Sequence, residues 1–562
     1  MNRGHKTLPI AIGALAVVGC GSRPSYWNTP VGQPSTYGLN SSVAVVDDAN
    51  HRVLLIAAQP NQTVSTQSVT IGHNTLSAAT TSDGSQLLVV SAGDSPRKTA
   101  SDQVPSLTVV TGPTEMARTA HAQVYGMSEA LPSLAIDPGG HWAVAYSSTP
   151  TAFVENPNEL VIFDLTLPPN PATPSGVLDP SQPANPITHT IRSKGGAPQA
   201  LTFTPLVQLP GGLQRHLLVV ETNIDVSLLD LEDEFQAPTS PPPPSEITVE
   251  LSDGTAGAPT VTPAAVAVYP GAGAGDLARI AIRASNDTNV YTLLLGPPAA
   301  GSTAEFLPSI NLTDVGGLPS DVEFVHTDAT TNGGLRVAAL VPSQTDAVLI
   351  DPDTSLTTQV ALPAAYTNLS IVTGAVSASN PAVDVALLWG APAGAAAGVA
   401  LWALGDTVGQ PYFSVQGLDV SQPIRAVDVV PANSAIVDPL RVLEVQTGTG
   451  FFVLDLSLRT ASPLTTTRNA TLAIAPDGGR LWAFTQEGTD LAAIDLKTLN
   501  PIPLTTDLPI HAIYDIARTD DSTQRSLIAI HDVGTFGVTI FDALNPDPTS
   551  AREASALLLE AP

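Results

Sequence analysis

Cysteine occurs once in the 562 residues, at Cys20. A single thiol excludes an intrachain disulfide, a cysteine-rich zinc site and an iron–sulfur cluster. Charge is also scarce. Only 13% of residues are Asp, Glu, Lys or Arg, and the bases are the scarcer, 22 against 51 acids. So few Glu, Lys and Arg argue against a coiled coil or a helical bundle. The formal net charge of -29 repels phosphate and excludes a broad nucleic-acid surface. Several chemistry-bearing patterns are missing as well. There is no Gly-x-Ser-x-Gly elbow, no phosphate-binding Gly-x-x-x-x-Gly-Lys loop, and no His-Glu-x-x-His or His-x-x-x-His pair. No motif calls for a cofactor or a metal, and no catalytic set can be named. What is abundant is 43% hydrophobic residues, 43 Gly and 51 Pro. That is enough apolar material for a sizeable core, and it fits many short strands joined by turns.

The amino terminus carries Arg3 and Lys6, then the uncharged apolar stretch Leu8 to Val18. This stretch has the length of a secretory h-region and is too short to span a bilayer as a helix. It ends in Val17-Val18-Gly19-Cys20, which resembles the bacterial lipobox. The resemblance implies diacylglyceryl transfer to the Cys20 sulfur, removal of residues 1–19 as a signal peptide, and a mature chain held on a membrane by lipid. The Asp that commonly follows the cysteine for inner-membrane retention is replaced here by Gly21, so the resemblance favours the outer membrane of the cell envelope. Residues 20–40, rich in Ser, Pro, Gly and Asn, read as a tether.

From residue 41 to 562 one pattern recurs. Its clearest copy predicts strands at Thr471 to Ala475, Arg480 to Thr485, Leu491 to Leu496 and Pro501 to Thr505, with the turn Pro476-Asp477-Gly478-Gly479 between the first two. Asp-Gly between apolar runs is a hairpin signal, because Gly takes the positive φ of a tight turn. Third-strand runs ending in Asp recur at Asp164, Asp230, Asp351, Asp455, Asp495 and Asp542. Copies start near Ser42, Leu76, Leu131, Ala200, Ala264, Asp321, Ser370, Ala426, Thr471 and His511. The first copy reads as having only three strands. A repeat of about 40–60 residues with four strands is a propeller signature. The expected fold is all-β: a β-propeller of four-stranded antiparallel blades in one ring of eight or more. Residues 472–498 resemble a YVTN-type repeat, a pattern shared with lactonase-like and TolB-like propellers. The matching elements are Ala475-Pro476-Asp477-Gly478, Leu481-Trp482-Ala483, Ile494-Asp495 and Thr498. The resemblance implies a fold, and no functional residue carries over with it.

In a meander, the first-to-second and third-to-fourth turns share one end. The repeated Asp residues therefore gather on one face of the disk, where they are expected to cap turns. The second-to-third loops lie on the opposite face, where variable loops on a rigid scaffold can bind a partner. The candidate ligand or partner residues there are Asp94, Arg97, Lys98, Phe153, Glu155, Asn156, Asn223, Asn286, Asp287 and Glu487. The acidic pairs Asp47-Asp48 and Asp520-Asp521 read as solvated turn residues. Pro241 to Pro244 reads as a spacer. Residues 385–404 carry no charge, yet the Gly, Ala and Pro at their centre suit a loop between two strands better than a membrane helix.

Three function classes follow. The favoured one is a non-catalytic binding or scaffold module at the envelope, whose partner is the membrane through its lipid and an unknown protein, glycan or small ligand. The others are a lactonase-like or other hydrolase and a structural or adhesive surface protein.

Overall fold

A computed structural model of the chain describes residues 34–555 and 557, apart from 96, 100–101, 150–153, 170–184, 236–245, 252–258, 274, 331–332, 373–384, 405–413, 434–435, 437–439, 449, 465, 467–469 and 532–535. The described residues form ten four-stranded antiparallel sheets, each a meander in which sequence neighbours are sheet neighbours. The blades begin at Ser35, Thr75, Ser133, Pro198, Pro263, Asp321, Asn368, Ile424, Ala470 and Ile510. The ninth consists of Ala470–Ile474, Arg480–Thr485, Asp490–Asp495 and Pro501–Thr505, close to the sequence expectation. The first blade differs. It has a fourth strand, Ser35–Gly38, inside the segment read as tether, and this strand pairs with Val43–Asp47. The uncharged stretch 385–404 forms strands Val385–Trp389 and Ala400–Ala403 of the seventh blade.

The blades are held together by apolar packing between their faces. Side chains alternate along a strand, so a sheet buried on both sides needs apolar residues at consecutive positions. In the second blade, Leu87 and Val89 pack against Ala44, Val46, Val53 and Leu55 of the first. Their neighbours Leu88 and Val90 pack the other way, against Ala143, Ala145, Val161 and Phe163 of the third. Ten such clusters fill ten gaps in cyclic order. A fully buried aliphatic side chain contributes roughly 1.5–3 kcal/mol, so one cluster outweighs any single polar contact across the gap.

The last gap closes the ring. Val43, Val45, Leu54 and Ile56 of the first blade pack against Ile516, Ile528, Ile530, Val538 and Ile540 of the tenth. The Tyr514 hydroxyl donates to the Thr36 carbonyl at 2.8 Å, and the Ala517 N–H donates to the Asn40 carbonyl at 2.8 Å. The Gln59 amide reaches the Thr519 hydroxyl at 2.7 Å. A Cβ on Gly38 would sit 2.8 Å from the Tyr514 ring, so glycine lets the two blades close on each other there. First strands of adjacent blades approach one another repeatedly, which places them around the central channel.

The turn face matches its expected role. Asp495 Oδ1 accepts the N–H groups of Lys497 and Thr498 at 3.0 and 2.8 Å. Asp351 does the same for Asp353 and Thr354, and Asp542 for Leu544 and Asn545. Asp164, Asp230 and Asp455 each accept from a backbone N–H two or three residues on. A second repeated feature lies beside them. Arg215, Arg279 and Arg480, at or next to the start of second strands, each reach the following blade through Glu305, Asp353 and the Ala543 carbonyl.

At Gly478, φ is +66°, and an added Cβ would lie 2.0 Å from the Pro431 carbonyl oxygen of the eighth blade. Gly478→Val therefore strains the turn and forces the eighth and ninth blades apart. We expect a loss of about 3 kcal/mol, read as a lowered melting temperature. Wild-type melting would contradict this turn geometry.

Candidate ligand-binding cleft

Five first strands carry a register slip beside the loop face, which leaves Leu76, Gln199, Ala264, Arg425 and His511 out of the pairing. An extra residue in one strand re-aims side chains, and such bulges cluster next to sites. The slip at Leu76 has a visible consequence. Thr75, Leu76, Ser77 and Ala78 all border one cleft, whereas a regular strand would send alternate side chains to opposite faces.

The cleft lies between the first and second blades and holds about 450 Å³. The first blade supplies Pro34, Ser35, Tyr37, Val46, Asp47, Asp48 and Ala49. Asp48 follows the second strand, so the cleft sits at the loop-face end of the ring. Asp47 and Asp48 play different parts there. Asp47 is buried, and its Oδ2 accepts from Arg52 Nε at 2.9 Å and Asn50 Nδ2 at 2.8 Å. This corrects the expectation of a solvated turn residue: Arg52, five positions on, starts the neighbouring strand and neutralises the carboxylate. Asp48 is exposed, and its Oδ1 accepts the Thr75 N–H at 2.7 Å, tying the two blades at the cleft. Behind the lining, Thr75 Oγ1 and Ser77 Oγ are shut off from solvent with no hydrogen-bond partner. Leu76 is 40% exposed and gives the wall an apolar patch. Among the described residues, no Lys, Arg or His borders the cleft. The other acidic pair is part solvated: Asp520 is bound to Arg518, and Asp521 caps Thr523.

The other loop-face candidates are spread around the ring and carry local bonds. Asp94 Oδ1 meets His73 Nδ1 at 2.9 Å, and its Oδ2 accepts the Gln103 N–H at 2.8 Å. The His73 bond, then the Gln103 bond, hold the Asp94 carboxyl below its usual range. Arg97 and Lys98 are exposed on the same loop. Glu155 and Asn156 give their N–H groups to Glu129 at 2.9 and 3.5 Å. Asn223 accepts the Ala197 N–H at 3.1 Å. Asn286 clamps the Thr260 carbonyl and the Thr262 N–H at 2.7 and 2.9 Å. Asp287 accepts from the Tyr291 hydroxyl and from Asn289. Glu487 is exposed at φ +59°. Cys20, Phe153 and Pro241 to Pro244 lie outside the described residues.

Among the described residues, one group of carboxylates has metal-like spacing. Oxygens of Asp230, Asp233 and Glu305 lie within 4.8 Å of one another. Arg215 already stands among them, 3.1, 4.0 and 3.0 Å from the three, and supplies the neutralising charge. Burial pushes the Asp230 carboxyl up to about 7. The group is thus an ionic link between the fourth and fifth blades.

A second link joins the third and fourth blades. His189 meets Glu246 at 3.0 Å and Glu234 at 3.2 Å, and Glu246 also accepts the Arg192 N–H at 2.7 Å. Burial disfavours the imidazolium, but the bonds to Glu234 and Glu246 prevail and push His189 up to about 9. Burial pushes the Glu246 carboxyl up, but the bonds from His189, the Arg192 N–H and Ser227 together outweigh it and hold the group below its usual range. The two shifts agree on a charged pair.

No protein-family model matches the chain, and no curated protein matches it in sequence. Solved structures do match. A dihydro-heme d1 dehydrogenase, NirN, in complex with DHE is 11% identical at a TM-score of 0.37, over 86% of this chain and 77% of that one. A eukaryotic initiation factor is 10% identical at 0.37, over 92% and 95%. The periplasmic gluconolactonase PpgL of Pseudomonas aeruginosa is 13% identical at 0.27, over 57% and 83%. At such scores no role transfers, and the propeller stands on its own strand register and closure.

The pair at His189 sets a pH dependence. An imidazole with a raised folded pKa adds stability that is whole below its unfolded value of about 6.5 and is lost as pH climbs through about 9. The melting temperature should fall between those limits, and His189→Gln should flatten the fall. An equal slope in the variant would remove His189 as its source.

Proposed function

We propose that this chain is a bacterial envelope lipoprotein whose ten-bladed ring is a non-catalytic binding module, with the loop-face cleft as a ligand site. The lipobox-like Val17-Val18-Gly19-Cys20 supports the anchor, and the YVTN-type turn pattern supports kinship with envelope propellers. Gly21 in place of a retention Asp favours the outer membrane. Two or three acyl chains hold a protein firmly on a bilayer, where one is marginal.

The observation that carries the binding reading is the cleft itself. A stability-driven fold closes gaps between blades with apolar residues, as it does at all ten interfaces. At the loop-face end of the first-to-second gap, beside that apolar cluster, the ring nonetheless keeps about 450 Å³ open, lined by hydroxyls and two carboxylates. A concave site with a few placed polar groups on a rigid scaffold is the usual form of a small-ligand site.

Cys20 is the only thiol in the chain, so the anchor has a clean test. In cells fed labelled palmitate, the wild-type chain should take up label and fractionate with membranes. Cys20→Ser should lose the label and appear in the soluble fraction. Unchanged membrane fractionation of that variant would overturn the anchor.

A further inference from the structure

The cleft between the first and second blades also constrains what it can hold. Among the described residues, its lining has two carboxylates and no cation. Asp47 is neutralised by Arg52, so Asp48 carries the uncompensated charge. One Asp48 oxygen is used by the Thr75 N–H, and the other has no protein partner among the described residues. The surrounding chain has a net charge of -29, which adds to the negative potential. An anion entering the cleft would meet the Asp48 carboxylate and, among the described residues, no lining group of opposite charge. A cation would meet a carboxylate already held in place by a backbone N–H.

The rest of the lining is rich in hydroxyls. Ser35 and Tyr37 of the first blade and Thr75 and Ser77 of the second border the same space. None of these side-chain oxygens makes a hydrogen bond among the described residues. For Thr75 and Ser77 the isolation is costly, because both oxygens are cut off from water too. A hydroxyl both donates and accepts, so a row of them suits a ligand that does the same. The Tyr37 ring and the exposed Leu76 add an apolar wall, which can take the C–H face of a small ring and favours a nearby ammonium.

We infer that the cleft binds a small hydroxylated ammonium compound of amino-sugar size, its ammonium on Asp48 and its hydroxyls on Ser35 and Tyr37. This rests on the binding-module reading and narrows it to a ligand class. A single amino sugar has a molecular volume well under the cleft's 450 Å³, so a second ring or several waters fit beside it. The bulge at Leu76 is then a binding device: without it, Thr75, Leu76 and Ser77 would not line one space.

The test is calorimetric titration of the full chain, purified in detergent, with three probes at pH 6.5. Glucosamine is a hydroxylated cation, N-acetylglucosamine its neutral counterpart and glucuronate its anionic one. Glucosamine should bind with one site per chain, at least tenfold tighter than N-acetylglucosamine, and glucuronate should give no heat. Asp48→Asn keeps an oxygen for the Thr75 N–H and should erase the tenfold preference. Leu76→Arg, at an exposed position, should abolish glucosamine binding with an unchanged melting temperature. N-acetylglucosamine binding as tightly as glucosamine would overturn the ammonium assignment and leave a neutral-saccharide cleft. Absence of binding by all three probes would overturn the cleft as a site for this class, while the lipid anchor is judged separately by fractionation.

Discussion

Face-to-face packing of one sheet on the next is the constraint on which this structure depends. No blade can bury both of its faces alone. Each gains a dry interior only when neighbours cover it on both sides, and a finite row of blades leaves two faces bare. Closing Val43, Val45 and Leu54 onto Ile516, Ile528 and Ile540 removes those two bare faces together. Polar contacts then fix details that the apolar clusters leave loose. Tyr514 sets the offset of the tenth blade on the first, and the arginines of the turn face tie blades pairwise. These contacts are individually weak, and surface ion pairs contribute ~0–1 kcal/mol each. Their value is directional, since the apolar clusters alone would tolerate sliding.

Much of this ring was legible in the sequence because blade architecture is local. Asp477-Gly478 turns the chain for a reason contained in four residues, and Ile494-Asp495 caps the next turn through N–H groups two and three positions on. Nine of the ten starts follow from such signals. The first strand, Ser35–Gly38, does not. It is a short, mostly polar stretch after Pro and Gly, and its partner Tyr514 is 478 residues from Thr36. Nothing local marks it, since its conformation is set by ring closure. The number of blades exceeded the usual range, but the count of copies pointed to it.

The site was less legible. The described loop residues singled out for binding are on the expected face, yet Asn223 and Asn286 use their side chains to hold incoming linkers. The cleft instead combines Asp48, Tyr37 and Ser35 with Thr75 and Ser77, from two blades and three separate segments. Serine and threonine carry no spacing signature, and a strand bulge has none either. Asp47-Asp48 was visible as a pair, but its division into one carboxylate neutralised by a cation and one bound only by a backbone N–H depends on Arg52 across the hairpin. The proposed site thus rests on irregularities in the repeat, which pattern reading averages away.

The closed ring can be measured directly as the distance between spin labels on the outer strands of the first and tenth blades, at Thr63 and Arg552. Those strands are neighbours across the closure. The account predicts a narrow distribution within about 30 Å, one inter-sheet spacing plus two label arms. Ten blades in an open row, stacked at about 10 Å each, would put the labels ~90 Å apart. A distribution centred there would contradict the ring and everything built on it.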